Sequence, residues 1–200
     1  MTQRERNIVI GCVLGDGFIQ RVGTKSARLR LEHSLQQKDY LLWKVSELRR
    51  FMQKPSILTR FHPTWKKFYY SIRCQSHSSS EFGKLRMIFY QDHAKQIPES
   101  ISRLLKDSLV LAVWYMDDGY YYKRDKTAYI YLSKHTDRDT RRLLRAIQEN
   151  FDLHPKLEKK KNGSMNLKFS VAETKKLSTI IAPHMIQSMR YKIDEEPRID

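Results

Sequence analysis

Residues 111–119 read Leu111-Ala112-Val113-Trp114-Tyr115-Met116-Asp117-Asp118-Gly119, and residues 9–17 repeat the plan as Val9-Ile10-Gly11-Cys12-Val13-Leu14-Gly15-Asp16-Gly17. Each segment predicts a short buried helix that ends at its last glycine, because only glycine enters the left-handed conformation there without steric cost. An acidic residue before that glycine is unusual, since the C-terminal end of a helix carries partial negative charge. Two such sites in one chain indicate a bound cation.

The two segments, which we name the motif helices, lie half a chain apart. Gly17 and Gly119 are separated by 102 positions in a chain of 200 residues. This spacing predicts an internal repeat in which each half begins with one motif helix. We place the two halves at residues 1–107 and 108–200.

Hydrophobic periodicity after each motif helix predicts the same elements in both halves. The first half has a strand that alternates strictly over Ala27–Ser34 and an amphipathic helix over Lys38–Met52, ended by Pro55. The second half has a helix over Asp137–Asn150 and a hairpin turned at Asn162-Gly163. The predicted fold class is α+β, with two pseudo-symmetric αββαββα halves joined through the two motif helices. Each half is expected to form a four-stranded antiparallel saddle sheet with helices on one face.

The chain is strongly basic throughout. It holds 38 Lys and Arg against 22 Asp and Glu, a net charge of +16. The excess is +11 in residues 1–107 and +5 in residues 108–200, which indicates a polyanion lying along the whole molecule. The alternative is a basic protein of another kind, such as one associated with the ribosome.

The cysteine and histidine content excludes several other classes. Two cysteines, Cys12 and Cys74, form no disulfide framework, so we expect a reducing compartment inside the cell, either a bacterial or phage-host cytoplasm or an organelle. The seven histidines show no zinc-ligand spacing, and no phosphate-cradling glycine loop is present. The amino-terminal apolar run is too short for a signal peptide or a membrane span, so no membrane partner is expected.

The two motif segments resemble the signature of the LAGLIDADG homing endonucleases, and two copies in one chain resemble the single-chain branch of that family. The resemblance implies that the motif helices pack along a two-fold axis and that Asp16 and Asp118 each deliver a metal-binding carboxylate to a scissile phosphate. Backbone carbonyls near the helix ends, at Gly15 and Asp117, are expected to join the ligand set. The implied cofactor is Mg²⁺, a hard cation that prefers oxygen ligands, with Mn²⁺ as a substitute.

Two further segments carry the same resemblance. Residues 94–98, Ala94-Lys95-Gln96-Ile97-Pro98, look like the family's lysine-then-proline segment, and Met189-Arg190-Tyr191-Lys192 looks like its C-terminal Met-x-Tyr-Lys. The match implies that Lys95 and Lys192 lie beside the cleavage sites. An ammonium group there could stabilise the pentavalent phosphorane or help to activate the attacking water.

The outward-facing residues of the predicted strands are candidates for DNA recognition. The major groove admits a two-stranded ribbon, and alternate side chains along that ribbon reach base edges. The candidate residues are Arg28, Arg30, Glu32, Tyr69, Arg73, Tyr129, Tyr131, Ser133, Asn166 and Lys168. Aligning the two halves places Glu32 opposite Ser133, so these two are also candidates for ordering water near the metals. Each residue alone would also suit a solvated strand face.

The resemblance implies a monomeric, site-specific endonuclease that hydrolyses both strands of DNA at a long, largely asymmetric target and leaves short 3′ overhangs. Two alternatives of the same fold stay open: an RNA maturase that assists splicing of its host intron RNA, and a non-cleaving DNA-binding regulator. The ends of the sequence show no intein splice-junction chemistry, which favours intron homing or a free-standing gene.

Overall fold

The computed structural model describes residues 1–132, 136–160 and 163–193. The first half follows the predicted order αββαββα. Its elements are α1 (Gln3–Leu14), β1 (Phe18–Val22), β2 (Ser26–Ser34), α2 (Lys38–Glu47), β3 (Ser56–His62), β4 (Lys67–Gln75) and α3 (Ser80–Phe89). The four strands form an antiparallel sheet in the order β1-β2-β4-β3.

The second half repeats this order after a short connection. The connection holds β5 (Tyr90–Gln91), β6 (Ala94–Lys95) and α4 (Ile101–Leu104). The repeat comprises α5 (Ser108–Asp118), β7 (Gly119–Tyr122), β8 (Thr127–Tyr131), α6 (Asp137–Phe151), β9 (Lys156–Lys159), β10 (Met165–Phe169) and α7 (Val171–Ile181). Its antiparallel sheet has the order β7-β8-β10-β9. The predicted α+β class with two repeated halves is therefore confirmed. Among the described residues, no helix combines the length and apolar character needed to cross a bilayer.

The contacts within the chain group it into two compact units. Unit 1 comprises Met1–Arg6 and Asp16–Ile88, and unit 2 comprises Asn7–Gly15 and the chain from Phe89 onward. Most of the first motif helix therefore belongs to unit 2, together with the second motif helix. The division at residue 107 rests on the sequence repeat and stays a prediction.

The two motif helices, α1 and α5, pack directly on each other in unit 2. A Cβ atom added at Gly11 would lie 2.6 Å from Val113 Cβ and 2.9 Å from the Val110 carbonyl oxygen. A Cβ atom at Gly15 would lie 2.5 Å from Asp117 Cβ. Glycines four residues apart share one face of a helix, so this face lets the two backbones approach closely.

We expect Gly11→Val to lower the free energy of unfolding by about 1–3 kcal/mol, because the added side chain must force the packed helices apart. Urea denaturation would measure the change. Ser46→Val is a suitable control, since Ser46 lies exposed on α2 and the change there should stay within about 0.5 kcal/mol. An unchanged Gly11→Val midpoint would contradict the close helix contact.

Two local predictions were wrong. Neither motif glycine is left-handed: the described glycines with positive φ are Gly23 and Gly163, not Gly17, and Gly119, with φ −79° and ψ 149°, begins β7 directly. Its glycine identity has a different cause: a Cβ atom there would lie 2.3 Å from the Tyr115 carbonyl oxygen. The helix predicted over Lys38–Met52 ends at Glu47 instead. Phe51 N and Met52 N donate hydrogen bonds to the Leu48 carbonyl in the turns that follow. The apolar pattern therefore continues beyond the end of the helix.

An ion pair between the buried Glu5 and the exposed Arg50 fixes the start of α1 in unit 1. The Glu5 carboxylate accepts hydrogen bonds from Arg50 at 2.7 and 3.0 Å and from Thr2 N at 2.6 Å. The Arg50 hydrogen bonds are the largest cause of a Glu5 pKa lowered from 4.5 to about 2.

The Glu5 interactions should make stability depend on pH. A carboxylate with a depressed folded-state pKa stabilises the fold above its ordinary pKa, and that stabilisation is lost as the pH falls from 4.5 to about 2. We expect the melting temperature of wild type to exceed that of Glu5→Gln at pH 6, with the difference shrinking toward pH 2.5. A difference that stays constant over this range would refute the assignment.

Candidate functional site

Lys95 contacts the carboxyl end of the first motif helix. The Nζ atom of Lys95 donates hydrogen bonds to the carbonyls of Val13 and Gly15, each at 2.8 Å. The β5–β6 hairpin, in which Tyr90 pairs with Lys95, holds the lysine backbone in place. One ammonium group thus binds two of the carbonyls that a helix leaves without backbone donors at its end.

Lys192 makes the equivalent contact at the second motif helix. Its Nζ atom donates to the carbonyls of Met116 at 2.6 Å and Asp117 at 3.1 Å, and the residue is only 7% exposed. The buried Tyr115 hydroxyl donates to the Lys192 carbonyl at 2.7 Å. Burial raises the pKa of Tyr115 above its usual range, so the hydroxyl stays protonated and keeps donating.

These two lysines explain how an acidic residue is tolerated at each helix end. The partial negative charge of the last carbonyls disfavours an anion there, and a bound ammonium offsets that charge. Lys95 and Lys192 were predicted beside the reaction site from resemblance alone. Their hydrogen bonds to the helix-end carbonyls were not predicted, because they join residues 75 to 82 positions apart.

The four predicted metal ligands form two pairs of sequence neighbours, Gly15 with Asp16 and Asp117 with Asp118. Gly15 and Asp117 meet in unit 2, where Asp117 Oδ2 would lie 2.6 Å from a Cβ atom built on Gly15. Asp118 is half-buried and is the last residue of α5, whereas Asp16 is exposed and belongs to unit 1. Carboxylate and carbonyl oxygens are the donors that Mg²⁺ prefers. A carbonyl has two lone pairs, so a lysine donor does not saturate it. The donor set therefore fits a hard divalent cation.

In unit 1, the predicted DNA-binding residues share one face of the sheet. Arg28, Arg30 and Glu32 alternate along β2 with the buried Leu29 and Leu31. On β4, Arg73 pairs with Glu32 and Tyr69 pairs with Arg60 of β3. Glu32 also accepts a hydrogen bond from Ser71 at 2.8 Å and forms an ion pair with Arg60 at 2.9 Å, so protein groups already hold its carboxylate.

In unit 2, Tyr129 pairs with Lys168 and Tyr131 pairs with Asn166 across β8 and β10. The expectation that Asn166 is exposed was wrong: the residue is 2% exposed, and its Oδ1 atom is buried without a hydrogen-bond partner. Tyr131 and Glu158 flank it on the same face, and large neighbours of this kind can bury a short amide. Ser133 lies outside the described residues.

The strand registers also revise the alignment of Glu32 with Ser133. Phe18, just after the first motif, pairs with Arg30, while Tyr120, just after the second, pairs with Tyr129. Glu32 lies two residues after Arg30 on β2, and Tyr131 lies two residues after Tyr129 on β8. The counterpart of Glu32 is therefore Tyr131 rather than Ser133.

The sequence reasoning missed an aromatic cluster at the tip of the β3–β4 hairpin. His62 stacks on Trp65 with ring centroids 4.4 Å apart, and Tyr69 lies 6.1 Å from Trp65. Trp65 and Tyr69 are both exposed. The available signal was the density of aromatic residues between positions 61 and 70, which exceeds what a two-stranded tip can bury.

The sequence as a whole matches a known family. Residues 6–177 fit the model of the LAGLIDADG DNA endonuclease family. This chain belongs to that family. Among LAGLIDADG relatives, DNA endonuclease I-ChuI of Chlamydomonas applanata is 22% identical over 214 residues, which cover 98% of this chain and 96% of that protein.

Other relatives are much longer than this chain. Protein RecA of Mycobacterium gastri is 29% identical over 96% of this chain but only 48% of its own length. Protein RecA of Mycolicibacterium flavescens is 27% identical, with 47% of its length aligned. The LAGLIDADG chain thus spans about half the length of these curated relatives.

Solved structures share the fold. The homing endonuclease I-WcaI bound to its DNA recognition sequence superposes with a TM-score of 0.89 at 20% identity, covering 98% of this chain and 88% of that one. The N-terminal LAGLIDADG domain of DUF199/WhiA gives a TM-score of 0.52 at 16% identity, with 93% and 84% covered. The LAGLIDADG fold of this chain is therefore common to proteins of low sequence identity.

Proposed function

We propose that this protein is a site-specific endonuclease that hydrolyses both strands of duplex DNA in a reaction that depends on a divalent metal. One observation carries the proposal: an acidic residue lies at the end of α5 and two residues after the end of α1, and at both ends a lysine ammonium, Lys192 or Lys95, binds neighbouring backbone carbonyls. Two such sites would serve the two strands of a DNA duplex, one site for each strand. Family membership and the DNA-bound relative I-WcaI support the same reading.

DNA binding would use the sheet faces that carry the predicted recognition residues. The net charge of +16 favours a polyanion, and phosphate neutralisation by lysine and arginine releases counterions. The two faces carry different side chains, with arginines prominent on β2 and tyrosines on β8. Two unequal halves would recognise an asymmetric DNA sequence. The affinity of the protein for DNA should fall steeply as the salt concentration rises.

The chemistry would be hydrolysis of one phosphodiester in each strand. Mg²⁺, when bound by the helix-end oxygens, would lower the pKa of a water and stabilise the leaving 3′ oxygen. Asp16 would hold a cation at one site and Asp118 a cation at the other, with the carbonyls of Gly15 and Asp117 beside them. Lys95 and Lys192 would place positive charge where the phosphorane becomes more negative. Offset attack on the two strands would leave short 3′ overhangs.

We further propose that the protein acts as a monomer, since both motif helices come from one chain. A reducing compartment inside the cell would suit the protein, because Cys12 and Cys74 are both buried free thiols. Homing of a host intron is the expected biological role.

The test is to incubate the protein with a library of long randomised duplexes, with and without Mg²⁺, and to sequence the ends produced. Cuts within one extended motif that require the metal would support the proposal and reveal the target. Binding without cutting, even in Mn²⁺, would contradict it and favour a non-cleaving regulator. Preferential binding to structured intron RNA would favour a maturase.

A further inference from the structure

A fully buried lysine lies beneath the sheet of unit 1. Lys44 of α2 has no exposed surface, and its Nζ atom is 3.0 Å from His33 Nε2 on β2. The same Nζ atom lies 4.1 Å from the centroid of the Tyr40 ring. His33 is 5% exposed. Burying an ammonium is unfavourable compared with burying an apolar side chain of similar size, so packing alone does not account for this pair.

The second half fills the same two positions with leucines. The strand registers relate Arg30 to Tyr129, and the same offset of 99 positions relates His33 to Leu132 and Lys44 to Leu143. Both leucines are buried, and at this offset the buried Tyr40, Leu41 and Leu48 correspond to the buried Asp139, Thr140 and Ile147. The repeated fold therefore does not require a lysine and a histidine here.

One member of this pair, His33, lies close to Asp16. A ring nitrogen of His33 and a carboxylate oxygen of Asp16 lie within 4.8 Å of each other in unit 1. The hydrogen bond between Lys44 Nζ and His33 Nε2 holds the imidazole ring in one orientation. A ring held in one orientation keeps its polar edge at a fixed position relative to the Asp16 carboxylate. A gap of this size closes by a direct hydrogen bond or by one bridging water.

We propose that His33, fixed by Lys44, is a positioning residue for the Asp16 carboxylate. The inference rests on the proposed endonuclease function, in which Asp16 serves one strand and Asp118 the other. Because the counterpart positions in the second half are leucines, the two carboxylates are supported differently. Cleavage of one strand therefore depends on the Lys44–His33 pair, and cleavage of the other does not.

The double variant H33L/K44L tests this by installing the leucines of the second half. It removes both partners together, so no charge is left buried alone. Groups that orient metal ligands typically contribute 10- to 100-fold, so we expect one strand to be cut about 10- to 100-fold more slowly while the other keeps its wild-type rate. Nicked duplex should accumulate. A duplex labelled differently on each strand and resolved on a denaturing gel measures both rates.

A second readout does not depend on cleavage. Mn²⁺ binding to the DNA-free protein, followed by electron paramagnetic resonance, should be weakened in H33L/K44L by a factor similar to that in Asp16→Asn. The matched control is L132M/L143M, which keeps the volume of the counterpart pair. It should leave both strand rates and Mn²⁺ binding at their wild-type values.

Equal rates on both strands together with unchanged Mn²⁺ affinity in H33L/K44L would overturn the inference while leaving the endonuclease proposal intact. If the wild-type protein cuts no DNA, the proposed function fails and the Mn²⁺ comparison alone decides the inference. If H33L/K44L does not fold, Lys44→Met is measured in the same two ways. It removes the donor that fixes His33 and should slow the same single strand.

Discussion

Asp118→Asn is expected to lower the rate of DNA cleavage by about 1,000-fold or more, a loss of roughly 4 kcal/mol of transition-state stabilisation. The substitution keeps the size of the side chain but removes the charge that would hold the cation. Asp118 is the last residue of α5, beside the Asp117 carbonyl to which Lys192 donates. Without the carboxylate, the Lys192 ammonium remains and repels a metal ion.

DNA binding by Asp118→Asn should be at least as tight as in wild type, since a negative charge is removed from a surface that faces phosphates. A gel-shift titration in Ca²⁺ and a single-turnover cleavage assay in Mg²⁺ separate the two effects. Asp137→Asn provides the control, because Asp137 is exposed in the first turn of α6 and its change should leave cleavage intact. Wild-type cleavage by Asp118→Asn would exclude Asp118 as a metal ligand.

Lys192→Met is expected to slow cleavage of one strand by about 100-fold or more, so that the variant nicks the duplex instead of cutting both strands. Lys192 donates hydrogen bonds to carbonyls at the end of the second motif helix, whereas Lys95 donates to carbonyls at the end of the first. Each ammonium therefore belongs to one site. Methionine preserves the length of the side chain without its charge.

The same substitution leaves the Met116 and Asp117 carbonyls without the lysine donor, so the free energy of unfolding should also fall by about 1–3 kcal/mol. Thermal denaturation measures that loss, and assays well below the new midpoint keep it apart from catalysis. Lys95→Met is the matched variant and should slow the opposite strand. Equal slowing of both strands by folded Lys192→Met would show that the lysine serves no single site.

The order of elements could be predicted because apolar periodicity is a local property of the chain. Both motif helices, both four-stranded sheets and the helix begun by Thr136 and Asp137 follow from short stretches of sequence. The end of α2 could not, since Leu48 and Met52 stay buried after the helix stops at Glu47. Periodicity reports burial, and turns can bury the same residues.

The site was harder to predict than the fold because it depends on contacts between distant residues. Resemblance pointed to Lys95 and Lys192, but the carbonyls that they bind depend on the β5–β6 hairpin and the final turn at Gln187–Lys192. The burial of Asn166 depends on neighbours across two strands. The His33–Lys44 pair had no signal in a single half, and only comparison with Leu132 and Leu143 makes it stand out.

The most direct test of the proposed function is to map both cut positions, strand by strand, on the selected target duplex. The proposal predicts one cut in each strand, offset to leave short 3′ overhangs, with both cuts abolished by EDTA and restored by Mg²⁺. Cleavage that persists in EDTA, or tight binding to the target with neither strand cut in Mg²⁺ or Mn²⁺, would contradict it.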